Sequence, residues 1–175
     1  SKPPPKPPPR PGTPDAGAPL EKPVSLKIYG APASRTFRSL WAAEEAGLPY
    51  ENLPLSYLGP EIKAPAYLAI NPNGTIPALS DDGFNLFESL AINFYLARKS
   101  GKLLPSDPAR RYETIQWVFF QMAAVGPMFG QLGFFHKFAG KDYEDKRPRD
   151  RYVAESRRLL GVLDKRLRGR AFIVG

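Results

Sequence analysis

Residues 71–97 read NPNGTIPALSDDGFNLFESLAINFYLA, and this stretch sets the order of four structural elements. It opens with Asn-Pro-Asn-Gly, a turn signal, because proline and glycine interrupt regular structure. Two short β-prone runs at 75–79 and 84–87 flank an Asp-Asp-Gly turn, which predicts a β-hairpin. Residues 88–99 then carry apolar side chains at helical spacing, so we expect a helix directly after the hairpin.

The segment before this stretch predicts two strands that alternate with two helices. Residues 24–29 form a β-prone run, and 35–46 have helical character. A second strand is expected at 51–55 and a short helix at 61–70, ended by the Asn-Pro-Asn-Gly turn. The order is βαβαββα, in which strands joined by a helix run parallel and the hairpin adds antiparallel strands. This is a thioredoxin-like plan.

The strand pattern stops beyond Gly101, and residues 109–136 and 149–168 both predict long helices. The fold class is therefore α/β plus all-α, with a thioredoxin-like N-terminal domain followed by a helical C-terminal domain. We expect this helical domain to be incomplete, because the family resemblance carried by the motifs below implies several more helices; without them the apolar faces of the two long helices would be partly exposed. Either the chain is a fragment or something else covers that surface.

Three segments are expected: a proline-rich tail at 1–22, the thioredoxin-like domain at 23–101 and the start of the helical domain at 102–175. The tail begins SKPPPKPPPRPG and has almost nothing to bury, so polyproline II or disorder is expected there. It is a spacer, a processed targeting remnant or a segment that docks on a partner. We expect a cytoplasmic protein, or an organellar one if the tail is a processed remnant.

Composition excludes several kinds of chemistry. The chain has no cysteine and a single histidine, His136, so it has neither a thiolate metal site nor a cysteine nucleophile, and no metal is expected. The net charge of +8 favours anionic ligands, but acidic residues interrupt the basic stretches, so we do not expect nucleic-acid binding. Residues 114–136 are long enough to cross a bilayer, yet their glutamines and central Gly-Pro favour a buried, kinked helix without a transmembrane span.

Three motifs resemble those of soluble glutathione transferases. YGAPASRTFR at 29–38, with LWAAEEAGLPY at 40–50, looks like the first strand and helix of bacterial members. NPNGTIPAL at 71–79 is similar to the family's loop with a cis-proline, and FESLAINFYLA at 87–97 resembles its glutamate-serine helix start. In the second half, QWVFFQMAAVGPMFGQ at 116–131 is similar to bacterial disulfide-reducing members.

The resemblance implies a binding site for glutathione, used as a co-substrate. If Pro77 is cis, the backbone N–H and C=O of Ile76 face outward, and the family pairs this edge with the cysteinyl part of glutathione. Glu88 and Ser89 open a helix, where free N–H groups and the dipole favour the γ-glutamyl carboxylate. Glu88 would hold the ligand ammonium; the alternative for this pair is a simple helix cap.

The resemblance also supplies a candidate catalytic residue, Ser34, which would donate a hydrogen bond to the glutathione sulfur and so favour the thiolate. The alternative is that Ser34 is only the N-cap of the following helix. Thr36, a second hydroxyl in the same loop, is the alternative donor to the sulfur if the loop register differs. Arg38 is expected to form an ion pair within the protein. Lys63 is a weak substitute for the family's lysine after the Asn-Pro-Asn-Gly turn, where this chain has Thr75.

The implied function is that of a glutathione transferase that directs the thiolate onto a small apolar electrophile or a disulfide. Aromatic and methionine side chains of the first long helix would wall the second-substrate cleft; these are Phe119, Phe120, Met122, Met128, Phe129, Phe134 and Phe135. A homodimer is expected if the helical half is complete. The alternative function is a non-catalytic subunit or adaptor of the same fold, held in a larger assembly through the proline-rich tail.

Overall fold

The computed structural model describes residues 24–174, so the expectation for the proline-rich tail at 1–22 lies outside the described residues. Four strands, β1 (Leu26–Tyr29), β2 (Glu51–Leu53), β3 (Ala78–Asp81) and β4 (Phe84–Phe87), form one sheet in the order β2-β1-β3-β4. β1 pairs in parallel with β2, while β3 pairs antiparallel with both β1 and β4. The predicted mixed sheet and the thioredoxin-like order are confirmed.

The two faces of this sheet carry different helices because side chains alternate along each strand. On one face α1 (Phe37–Ala46) and α3 (Ser89–Ser100) pack against each other and cover the main core. That core is formed by Leu26, Ile28, Leu40, Ala43, Leu79, Ile92 and Leu96. On the other face Ile62 and Tyr67 pack with Ala78, so the short α2 (Pro65–Leu68) covers the opposite side.

In the thioredoxin-like half, two predicted elements differ from those observed by more than two residues. The helix expected at 61–70 is split into a 3₁₀ turn (Pro60–Lys63) and α2, because Ala64 precedes Pro65 and adopts an extended conformation. The first hairpin strand begins at Ala78 instead of residue 75, since Pro77 cannot donate a backbone hydrogen bond to a sheet.

The helical half contains α4 (Pro108–Phe120), a π-helical turn (Gln121–Val125), α5 (Gly126–His136) and α6 (Arg147–Leu167). The single helix predicted over 109–136 is therefore interrupted by the π turn. Pro127 supplies the reason, because it has no backbone N–H and its ring conflicts with the carbonyl four residues earlier. α5 packs on α6, and the Phe135 ring stacks on Tyr152 with 5.7 Å between centroids.

Apolar side chains of the helical half are exposed, as expected for the apolar faces of the two long helices, whereas the expectation that the helix over 114–136 is buried is wrong. No residue of Pro108–His136 is fully buried, and Phe119 is 62% exposed. Pro108–His136 is also long and apolar enough to cross a membrane by length and composition, with a mean hydropathy of 1.3 over its most apolar window. The absence of a membrane span stays a prediction.

Asp81 ties the end of β3 to α3. Its nearly buried carboxylate accepts hydrogen bonds from Ser25 Oγ at 2.8 Å and Tyr95 Oη at 2.7 Å, and from the Lys99 ammonium. Burial alone raises the pKa of Asp81, but the hydrogen bonds from Lys99, Tyr95 and Ser25 outweigh it and lower the pKa below its usual value. The ionised carboxylate is thus part of the folded structure.

Candidate functional site

The loop before β3 exposes an unpaired segment of backbone. The Ile76–Pro77 peptide bond is cis, as the motif predicts. Within residues 24–174 the backbone N–H and C=O of Ile76 have no hydrogen-bond partner. Backbone groups of this kind can pair with an extended peptide as an added strand does.

Side chains behind the loop hold its shape. Tyr67 Oη and Asn71 Nδ2 both donate to the carbonyl oxygen of Thr75, at 2.7 and 2.6 Å. Asn71 Oδ1 also accepts from the backbone N–H of Asn73 at 3.0 Å. Burial raises the pKa of Tyr67 to about 12, so its hydroxyl remains a donor at all ordinary pH values. Thr75, which precedes Ile76, is therefore held in place by two hydrogen bonds to its carbonyl oxygen.

Lys63 also stabilises the loop before β3. Its ammonium donates to the carbonyl oxygen of Gly74 at 2.7 Å. Lys63 does not line the cavity that lies beside Ile76 and Ser89. Gly74 has a φ of +60°, which suits glycine, and its N–H closes the turn on Asn71 O. The contact predicted between Lys63 and a ligand carboxylate stays a prediction; the observed contact of this side chain stabilises the turn.

The start of α3 faces the same region. Glu88 is the N-cap residue, but its side chain makes no capping bond, and its φ of +72° is rare for a residue with a side chain. Ser89 is only 4% exposed, and its Oγ accepts a hydrogen bond from Arg38 Nη1 at 3.4 Å. The free N–H groups of the first turn of α3 lie beside this hydroxyl. Such an arrangement favours a carboxylate ligand.

Ser34 lies in the loop between β1 and α1. The helix was predicted to begin at Arg35, directly after Ser34, but it begins two residues later. α1 begins at Phe37 and its N-cap is Thr36, so Ser34 is not an N-cap. The Ser34 hydroxyl lies 2.7 Å from the carbonyl oxygen of Ala31 and 2.9 Å from Thr36 Oγ1, and it accepts from Thr36 N–H at 3.1 Å. Ser34 is not among the residues that line the cavity. Its hydrogen bond to a ligand sulfur stays a prediction.

A cavity of about 790 Å³ brings the loop, the start of α3 and the helical half together. From the thioredoxin-like half it is lined by Arg35, Arg38, Ile76, Pro77, Glu88 and Ser89, with Asn73 and Thr75 at the loop. Four predicted site residues, Ile76, Pro77, Glu88 and Ser89, therefore lie on one cavity. Its volume is typical of pockets that take a whole ligand.

Two arginines of this cavity were not predicted as site residues. Arg38 was expected to form an internal ion pair, and this is wrong: among residues 24–174 neither Arg35 nor Arg38 forms a salt bridge. Burial, and then the charge of Arg35, lower the pKa of Arg38. The signal in the sequence was two basic residues that flank the first residue of α1, with Arg35 in the loop before the helix and Arg38 in its first turn.

The opposite wall comes from the helical half. It consists of Met122, Gly126, Pro127, Gly130, Gln131 and Phe134. Of the seven aromatic and methionine residues predicted for this wall, only Met122 and Phe134 line the cavity. The small residues at 126 and 130 lie one turn apart, so the middle of the wall is backbone and leaves space for a ligand. The π-helical turn (Gln121–Val125) contributes Met122 to this wall, and such turns are frequent at functional sites.

The chain matches the family model described as "Glutathione S-transferase, N-terminal domain" over residues 24–98. Among curated proteins it is 34% identical over 151 residues to the glutathione S-transferase-like protein gedE of Aspergillus terreus, covering 83% of this chain and 65% of gedE. It is 35% identical over 157 residues to the disulfide-bond oxidoreductase YfcG of Escherichia coli, covering 86% of this chain and 72% of YfcG. The chain thus spans slightly less than two thirds of gedE and slightly more than two thirds of YfcG.

Crystal structures of bacterial glutathione transferases share the fold. One from Pseudomonas putida, with one glutathione disulfide bound per subunit, has a TM-score of 0.83 and 49% identity over 89% of this chain and 70% of its own. A family member from Pseudomonas fluorescens pf-5, with two glutathione bound, also has a TM-score of 0.83, with 50% identity over 90% of this chain and 72% of its own. With its thioredoxin-like sheet, its cis-proline loop and these similarities, the chain belongs to the glutathione transferase family.

Proposed function

We propose that this protein binds glutathione in the cavity beside Ile76 and Ser89 and uses its thiolate to attack a second substrate. The observation that carries this proposal is that the unpaired backbone groups of Ile76 and the first turn of α3 lie on the same cavity. The free backbone of Ile76 suits the cysteinyl residue, and the buried start of α3 suits the γ-glutamyl carboxylate. Glu88, on the same cavity, is available for the ligand ammonium.

The thiol must ionise before it can react. A free thiol has a pKa near 8.5, and a hydrogen-bond donor or a positive charge beside it lowers that value. Ser34 is the donor that the family resemblance predicts. Arg35 and Arg38 place two positive charges on the same cavity, and these favour a thiolate there as well.

A disulfide is the second substrate that we favour. The cavity of about 790 Å³ has room beside the loop edge, and the Pseudomonas neighbours were crystallised with glutathione disulfide or with two glutathione molecules. In the proposed reaction the thiolate of glutathione attacks one sulfur of a disulfide, a mixed disulfide forms, and the other sulfur leaves as a thiolate. The thiolate of a second glutathione then attacks the glutathione sulfur of the mixed disulfide, which forms glutathione disulfide and releases the other half of the substrate as a thiolate. All sulfur comes from the ligands, since the chain has no cysteine.

Retention on immobilised glutathione, with elution by free glutathione, tests the proposal. We expect the wild-type chain to be retained, and calorimetry to give saturable binding. Ser89→Ala should weaken binding about tenfold, because the carboxylate loses a hydrogen bond. Ser106→Ala, a change at an exposed serine outside the cavity, should bind as the wild type does. Absence of binding by the wild-type chain, together with capture of a stoichiometric protein partner, would favour the adaptor function instead.

The remaining expectations stay proposals. The domain bounds, a homodimer, assembly through the proline-rich tail and a cytoplasmic location rest on the sequence and the family resemblance. A small apolar electrophile is the alternative second substrate, and Met122 and Phe134 are the apolar side chains of the helical wall that would contact it. Turnover of 1-chloro-2,4-dinitrobenzene with glutathione measures that alternative directly.

A further inference from the structure

The cavity has an excess of positive charge. Arg35 and Arg38 line it, and Glu88 is the one carboxylate among its lining residues in the part of the chain that the structure describes. Neither guanidinium is neutralised by a salt bridge within residues 24–174. Since Glu88 is assigned to the ammonium of glutathione under the proposed function, both arginines are left for anions.

The two arginines lie in different parts of the cavity. Arg38 donates to Ser89 Oγ at 3.4 Å and lies 3.8 Å from Met122 Sδ, so it supports the start of α3, where the first glutathione is proposed to place its carboxylate. Within residues 24–174 the side chain of Arg35 donates no hydrogen bond to the protein; it is exposed and lines the cavity. Its charge is therefore not needed to hold the protein together.

Gly130 on α5 places Arg35 toward the helical wall. A Cβ atom added to Gly130 would lie 3.5 Å from Arg35 Nη2, so the guanidinium lies close to this glycine with room for one methyl group between them. Gln131, the next residue of α5, also lines the cavity and adds an amide. The guanidinium of Arg35 thus faces the space between the loop edge and α5, where a second substrate would lie.

We propose that Arg35 determines specificity for the second substrate, which we infer to be a disulfide that carries a carboxylate. This inference rests on the proposed function and adds the substrate class and the residue that recognises it. A guanidinium binds a carboxylate through two parallel N–H donors, and a neutral disulfide makes no use of them. The cavity then selects acidic disulfides by charge and neutral ones only by size.

Two symmetrical disulfides with two methylene groups between each sulfur and its polar group test this inference: 3,3′-dithiodipropionate, which has two carboxylates, and bis(2-hydroxyethyl) disulfide, which is neutral. Glutathione-dependent turnover is followed by coupling glutathione disulfide formation to glutathione reductase. Each kcat/KM is divided by the rate constant of the uncatalysed exchange, so that intrinsic reactivity cancels. The wild-type chain should prefer the dianionic disulfide about tenfold, the factor that a charge-assisted hydrogen bond typically contributes.

Arg35→Gln should remove most of this preference, with a drop of about tenfold for the dianion and less than twofold for the neutral disulfide. Arg35→Lys should keep part of the preference because the charge remains. Arg98→Gln, which removes one exposed charge from α3 outside this cavity, is the matched control and should leave the preference unchanged. The wild-type preference should also fall as salt is added.

Several outcomes would overturn the inference. These are a wild-type chain with equal normalised rates, an Arg35→Gln variant that keeps the wild-type preference, and an Arg35→Gln variant that loses glutathione binding with its preference unaltered. The last result would assign Arg35 to the first glutathione. If the wild-type chain neither binds glutathione nor turns over either disulfide, the proposed function fails and this inference with it.

Discussion

The carbonyl oxygen of Thr75 gives the sharpest test of how the cis-proline loop is held. It accepts hydrogen bonds from Tyr67 Oη at 2.7 Å and from Asn71 Nδ2 at 2.6 Å. Tyr67→Phe removes the first donor and should destabilise the protein by about 1 kcal/mol, the net contribution of one hydrogen bond. Asn71→Ala removes the second donor and the bond to Asn73 N–H, so about 2 kcal/mol is expected.

The two changes should not be additive. In either single variant one donor still satisfies the Thr75 carbonyl, whereas in the double variant this acceptor loses both partners. Leaving such a group unpaired costs about 1 to 3 kcal/mol more when water cannot reach it. We therefore expect the double variant to be less stable than the sum of the single effects by about 1 kcal/mol.

Urea unfolding followed by the fluorescence of Trp41 and Trp117 measures these differences. With a slope of about 2 kcal/mol per molar urea, the single variants should shift the midpoint by about 0.5 and about 1 M. Tyr50→Phe is the matched control, because the Tyr50 hydroxyl bonds an exposed Glu44 carboxylate away from the loop, and its midpoint should not move. If the effects of the two variants add to within about 0.3 kcal/mol, the shared acceptor does not hold the loop.

Changes at Asp81, Gly30 and Ser34 test two observed contacts and one proposed role. Asp81→Asn should destabilise the protein by about 2 to 3 kcal/mol, because the charge-assisted bond from Lys99 is lost, as urea unfolding at pH 7 would show. Because the pKa of Asp81 is lowered in the folded state, its contribution to the free energy of unfolding is complete above the unfolded-state pKa of about 3.9 and is lost as the pH falls through the folded-state pKa. The free energy of unfolding of Asp81→Asn should therefore depend less on pH in this acidic range. Gly30→Ala should cost about 3 kcal/mol or more in thermal unfolding, since the φ is +131° and the new Cβ would lie 2.0 Å from Thr36 Oγ1. Ser34→Ala should lower kcat and raise the pH at which the bound thiol ionises, and an unchanged pH profile would reject the donor role of Ser34.

Much of the thioredoxin-like half could be predicted from sequence because its signals are local. A two-residue turn at Asp82 and Gly83, both with positive φ, joins β3 to β4 as the Asp-Asp-Gly stretch indicates. The start of α3 after Phe87 was also predictable, to within one residue. The site residues Ile76, Pro77, Glu88 and Ser89 came from motifs in which backbone conformation itself forms the recognition surface. Such features depend on neighbours in sequence and not on distant packing.

The sequence by itself determined the order of elements, the cis-proline loop and the helix start that faces the cavity, because each depends on the conformational preferences of a few adjacent residues. Only the tertiary structure decided which side chains reach the cavity. Arg35 lies close to Gly130 although 95 residues separate them in sequence. The Ser34 hydroxyl is directed to its own loop, and the Lys63 ammonium is directed to a backbone carbonyl. The direction of a side chain follows from how α1, α5 and the loop pack, and no local pattern contains that information.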